Sequence, residues 1–85
     1  MRSVNFHQHA WDQFVAWQTQ NPKLAARLSR MISEIRREPF TGIGKPEPLK
    51  QNLKGCWSRR INEEHRLVYS VTDAAITVVS CHDHY

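Results

Sequence analysis

No run of apolar residues in this chain is long enough to cross a bilayer or to form the core of a secretory signal, and the opening "MRSVNFHQHAW" is broken by polar residues throughout. Nothing therefore directs the chain out of the cytoplasm, which is the expected compartment. Cysteine is nearly missing. Cys56 and Cys81 are too few for a disulfide framework and lie in strand-like segments, where both are expected as reduced core residues. The three glycines build no phosphate-cradling loop, and neither a GxSxG elbow nor a Cys-His pair in a nucleophile context is found. "HQH" at His7 and His9 and "HDH" at His82 and His84 match no closed zinc spacing, so neither a metal nor another cofactor is expected. Internal repeats, low-complexity tracts and helix–turn–helix spacing are also lacking.

Acidic residues are in the minority. Eight Asp and Glu face twelve Lys and Arg, leaving a formal charge of +4, a sizeable field for a small chain that favours a polyanionic partner such as nucleic acid. The length of 85 residues suits one domain, residues 1–85, with a single sheet and a couple of helices. With 40% hydrophobic and 24% charged residues the composition is that of a folded globular protein rather than a disordered one.

Val4 and Phe6 alternate in "RSVNF", predicting a short strand. From His9 to Gln20 the period becomes helical, with Trp11, Phe14, Val15 and Gln18 on one face and Trp17 on its flank. Asn21 and Pro22 then supply an N-cap and a first helical position for a second helix. In it Leu24, Leu28, Met31, Ile32 and Ile35 form the packing face, while Lys23, Arg27, Arg30, Glu34 and Arg37 gather on a side expected to be solvated. Pro39 ends that helix, and "PFTGIGKPEP" is a loop longer than most, a reasonable place to look for function. The rest reads as an antiparallel meander of "LKQNL", "CWSRRI", "HRLVYSV" and "AITVVSC", with turns at Lys54-Gly55, Asn62-Glu63 and Thr72-Asp73. Helices early and strands late predict an α+β fold, a curved antiparallel sheet with two N-terminal helices packed on one face and the other face partly open.

Strand alternation sends His65, Leu67, Tyr69 and Val71 one way, towards the helices, and Glu64, Arg66, Val68 and Ser70 the other. Glu64 and Arg66 are thus expected together on the open face, and His65 as a structural or strand-end histidine. Glu47 lies between Pro46 and Pro48, whose rings leave its backbone little freedom. It is either a surface glutamate in a proline turn or a carboxylate held among Lys45, Lys50 and Arg66, where it stays ionised and can accept a proton. In "HDHY", His84 is of a type suited to donate a proton near neutrality and Tyr85 offers a face for stacking on a base.

The stretch "PFTGIGKPEPLKQNLKGCWSRRINEEHRLVYSVTD" and the closing His84-Tyr85 resemble the YoeB-type toxins of the RelE superfamily, bacterial toxin–antitoxin endoribonucleases. The resemblance covers essentially the whole chain and rests on long ordered motifs, "GKPEPLK", "WSRRI", "EEHRLVY" and His-Tyr. It implies a RelE-like, microbial-ribonuclease fold and a metal-free enzyme that cleaves mRNA in the ribosomal A site. It further implies a homodimer, and an antitoxin whose disordered segment folds on the toxin. Carried over by position, the general base is Glu47, the phosphate-stabilising residue Arg66, the general acid His84 and the terminal aromatic Tyr85, with Lys50 and Glu64 in support. Three features depart from the family pattern: Cys56 stands where an aromatic is common, His82-Asp83 replaces a basic residue and its neighbour, and "FHQHAW" replaces an acidic start. The competing expectation is an idle module that binds RNA or an antitoxin through Arg27, Arg30 and Arg37. A small DNA-binding protein is disfavoured because the helices are needed to cover the sheet.

Overall fold

A computed structural model describes residues 1–83; the expectations placed on His84 and Tyr85 lie outside the described residues. The chain runs β1 (Ser3–Phe6), α1 (Gln8–Gln20), α2 (Pro22–Arg37), β2 (Glu47–Pro48), a single 3-10 turn (Gln51–Leu53), β3 (Cys56–Arg60), β4 (Arg66–Val71) and β5 (Ala75–Ser80). The strands form one sheet in the order β1-β5-β4-β3-β2. The α+β expectation holds, with one addition: β1 pairs parallel to β5, making the sheet mixed. Two helices separate β1 from the other strands, so no tight hairpin imposes an antiparallel sense on it.

In α2 the cap behaves as its residues dictate, because Asn21 accepts the Leu24 N–H at 3.1 Å and Pro22 occupies the start of the helix. Its buried face is the anticipated one, extended by Ala25. Each Leu or Ile fully withdrawn from water there contributes about 1.5–3 kcal/mol. The polar side differs from expectation. Glu34 turns to the buried guanidinium of Arg59, 3.0 Å away, and Arg27 and Arg36 donate to the carbonyls of Ile61 and Arg2. Helix α1 is rotated from the expected face: Ala10 and Trp17 are buried with Phe14 partly covered, while Trp11 and Val15 are exposed. The cause is chemical, since Trp17 carries an N–H that needs an acceptor in the core and finds the Cys81 carbonyl at 2.8 Å.

The strand expected in "LKQNL" lies earlier. Glu47 and Pro48 pair with Ser58 and Trp57, and the residues Gln51 to Leu53 close a 3-10 turn beginning at a positive φ of 58° on Gln51. Pro48 has no N–H to donate and is tolerated because β2 is the sheet edge. Leu67, Tyr69 and Val71 face the helices as expected. Cys81 is a core residue, but Cys56 is only half-buried, because its partner across β3 and β4 is Ser70, on the face the helices do not cover.

Candidate functional site

The loop between α2 and β2 is fastened from beneath by Arg59, a fully buried residue whose sequence neighbours in "WSRRI" do not distinguish it. Its guanidinium donates five hydrogen bonds: to the Tyr69 hydroxyl at 3.0 Å, Glu34 Oε1 at 3.0 Å, and the carbonyls of Ile43, Glu38 and Thr41 at 3.1, 2.8 and 2.9 Å. Tyr69 in turn donates to the Pro39 carbonyl at 2.6 Å. Burial raises the Tyr69 phenol above its usual range, although Arg59 opposes the shift. Two glycines make the loop possible. Gly42, at φ +123°, lies where a Cβ would sit 1.5 Å from Glu34 Oε1, and Gly44, at φ +82°, lets its carbonyl accept the Arg60 N–H at 2.7 Å. The chain therefore enters "KPEP" from a fixed point.

Pairing of Glu47 with Ser58, and of Ser58 with Val68, puts Glu47 on the open face with Arg66 two residues before Val68. The Glu47 carboxylate lies 3.3 Å from an Arg66 terminal nitrogen, which also donates to the Ser58 hydroxyl at 3.4 Å. Arg66 is about one-fifth exposed and Glu47 about half, so the pair is open to a ligand from one side. Lys50 shares with Glu47 a shallow cavity of about 350 Å³, lined by residues 47–51. Arg60 stands directly opposite Arg66 in the register, which adds a second guanidinium-bearing residue to this end of the sheet. Neither Arg60 nor Ser58 was singled out by the sequence; the β3 alternation Ser58-Arg60, once paired with Arg66, was the signal available.

Glu64 departs from expectation. Strand β4 begins only at Arg66, and Glu64 sits in the preceding bend with its carboxylate 3.7 Å from His65 Nε2 rather than in the strand beside Arg66. His65 is buried, as a structural histidine should be. After β5 the chain turns back across the start of β4, where the Asp83 carbonyl accepts the Arg66 backbone N–H at 3.0 Å. This brings Asp83 against the start of β4, beside the Arg66 backbone. Burial pushes the Cys81 thiol up to about 12, so it is an inert core group.

His65, His82 and Asp83 are the one metal-capable cluster among the described residues, their ligand atoms all within 4.8 Å. Two of the nitrogens are engaged within the cluster. His65 Nδ1 accepts the Asp83 N–H at 2.8 Å, and His82 Nδ1 lies 2.9 Å from the Asp83 carboxylate.

Comparison with known proteins follows the same lines. The family model described as a YoeB-like toxin of bacterial type II toxin–antitoxin systems matches residues 6–85. The chain is 53% identical over 85 residues to the toxin YoeB of Mycobacterium bovis, covering all of both chains. Its fold is similar to that of a YoeB dimer from Staphylococcus aureus (TM-score 0.91, 41% identity, 99% of this chain and 98% of that one). It is also similar to a YoeB–YefM complex from the same organism (TM-score 0.89, 42% identity, 100% and 99% covered). A match of this extent, on a fold that sets "KPEP" on the edge strand beside the β4 arginine on the open face, makes this chain a member of the YoeB toxins of bacterial type II toxin–antitoxin systems.

Proposed function

We propose that this toxin is an endoribonuclease that enters the ribosomal A site and cuts the mRNA there, using side chains alone for the acid–base chemistry. The observation that carries the reading is the ionised pair of Glu47 and Arg66, 3.3 Å apart on the open face, with the backbone of Asp83 hydrogen-bonded to that of Arg66. Glu47 takes the proton from a ribose 2′-OH as the oxygen attacks the adjacent phosphorus. His84 gives its proton to the departing 5′-oxygen, leaving a 2′,3′-cyclic phosphate and a free 5′-hydroxyl. Arg66, bonded to Glu47 through a terminal nitrogen, is the residue that stabilises the charge on the phosphate, and Lys50 adds charge beside it. Glu64 acts in support, and Tyr85 stacks on a base of the substrate.

The net charge of +4 supports a polyanionic target, mRNA together with the surrounding rRNA. By analogy with the Staphylococcus aureus dimer and YoeB–YefM complex, this chain forms a homodimer and is silenced by a cognate antitoxin, an acidic protein whose disordered segment folds on it. Among the described residues no helix is long and apolar enough to cross a membrane, in keeping with work on cytoplasmic ribosomes. An idle module gripping RNA through the helix α2 arginines is less well supported, because Arg27 is already bound to the Ile61 carbonyl at 2.6 Å. The test maps mRNA 5′ ends in a translating extract. Wild-type protein is expected to create cuts at A-site codons that Glu47→Ala and His84→Ala protein do not; undiminished cutting by both variants would end the enzymatic reading.

A further inference from the structure

Three strands contribute to a single row of side chains on the open face. Glu47 of β2 pairs directly with Ser58 of β3, and Arg66 of β4, opposite Arg60, is the diagonal neighbour of Ser58 on the other side. Neighbouring strands lie about 4.8 Å apart, so a contact between Arg66 and Glu47 has to bridge two such spacings and pass over β3 at position 58. It does so: one Arg66 terminal nitrogen lies 3.3 Å from Glu47 Oε1 and 3.4 Å from the Ser58 hydroxyl. Ser58 is fully buried on a face the helices do not cover, whereas its alternate neighbours along β3 are half-buried at Cys56 and exposed at Arg60.

We infer that Ser58 is a positioning residue for the Glu47–Arg66 pair: its small side chain leaves the path across β3 open, and its hydroxyl accepts from the guanidinium that takes that path. The inference rests on Arg66 acting at the phosphate, as proposed above. Size and polarity contribute separately. A branched side chain at position 58 would stand under the guanidinium and lift it from Glu47, because a packed site has no spare volume for added methyl groups. The hydroxyl matters for orientation. Both contacts of the nitrogen are long for charge-assisted hydrogen bonds, so neither alone fixes the group. Its two N–H bonds, directed at acceptors on different strands, together define the plane in which it lies. Without the Ser58 acceptor the nitrogen keeps one of these two tethers and swings about it, and a donor displaced by about 1 Å loses much of its effect on a developing charge.

Two substitutions separate the contributions. Ser58→Ala removes one oxygen and keeps the space, whereas Ser58→Val removes the hydroxyl and fills the path. In single-turnover cleavage on preassembled ribosome complexes, Ser58→Ala is expected to slow the reaction roughly three- to tenfold, the usual effect of losing one hydrogen bond. Ser58→Val should slow it by about 10²–10³, as loss of Arg66 itself would. The deciding comparison is a double variant. In an Arg66→Ala background, Ser58→Ala should change the rate by less than about twofold, whereas a general role in stabilising the sheet would slow both backgrounds equally. NMR of the arginine guanidinium groups supplies a readout that does not depend on activity: rotation of the Arg66 guanidinium, slow in wild type, should be faster in Ser58→Ala. Wild-type cleavage by either single variant, an undiminished Ser58→Ala effect in Arg66→Ala, or unchanged rotation would each overturn the inference. If Ser58→Val does not fold, the Ser58→Ala comparisons decide alone. Should Glu47→Ala and Arg66→Ala cleave normally, it is the nuclease assignment that fails, and rotation of the Arg66 guanidinium will still respond to Ser58→Ala while the cleavage rate will not.

Discussion

Replacing Arg59 by lysine keeps one positive charge opposite Glu34 but removes the planar fork, and the consequence follows from the acceptors around it. Five groups now receive a hydrogen bond from Arg59: the Tyr69 hydroxyl, Glu34 Oε1 and the carbonyls of Glu38, Thr41 and Ile43. An ammonium group has three protons, so at least two of those acceptors lose their donor. A buried polar group left unsatisfied costs about 1–3 kcal/mol, and partial access of water to the loop carbonyls keeps the total near the lower end, about 2–4 kcal/mol. For a domain of this size each kcal/mol moves Tm by roughly 4–8 °C, so Arg59→Lys should melt roughly 8–32 °C below wild type in calorimetry at matched protein concentration. Activity should fall as well, because the loosened segment carries Gly44 and, three residues on, Glu47. A Tm within about 5 °C of wild type would mean that the five bonds do not hold the loop, and the structural reason given for the position of Glu47 would be wrong.

Arg66→Ala should reduce kcat/KM for cleavage by about 10²–10³, the usual cost of removing one preorganised donor to a developing oxyanion, and Arg66→Lys should not restore it because the bidentate grip is lost; single-turnover kinetics on ribosomes measure both. Gly42→Ala places a methyl group on the Glu34 carboxylate at a φ of +123°, and urea titration should report a destabilisation of about 1–3 kcal/mol. The Cys81 thiol, pushed up to about 12 by burial, should resist iodoacetamide at pH 8 while the half-buried Cys56 reacts, as mass spectrometry of labelled peptides would show. The linkage has a definite sign. Between the ordinary thiol value of 9.0 and about 12 the unfolded chain releases a proton that the folded chain retains, so this group's contribution to stability is complete below pH 9 and is lost as pH rises through that window. Denaturant melts of wild type and Cys81→Ala across pH 8–11 should converge accordingly.

Part of this molecule was legible before any coordinates. Helix α2 announces itself through its cap, its proline and its periodic apolar residues, all of which act within a few residues of one another. The errors share a cause in long-range partners. Trp11 and Val15 fit an apolar face as well as Trp17 does, and only the Cys81 carbonyl, 64 residues away from Trp17, decides which side turns inward. Glu34 looked like one more charge on a solvated face until Arg59 arrived from the sheet.

Local chemistry, then, determined the two helices and the strands β1, β3, β4 and β5, that Glu47 is confined by its prolines, and that Arg66 faces away from the helices, since caps, periodicity and ring constraints operate between near neighbours. Tertiary structure alone decided that Arg59 is buried and anchors the loop ahead of Glu47, that Trp17 turns inward to the Cys81 carbonyl, and that His65 accepts the Asp83 N–H. Each of these is a match between a donor and an acceptor brought together from separate stretches of chain, and a pattern confined to one stretch has no means of recording its distant partner.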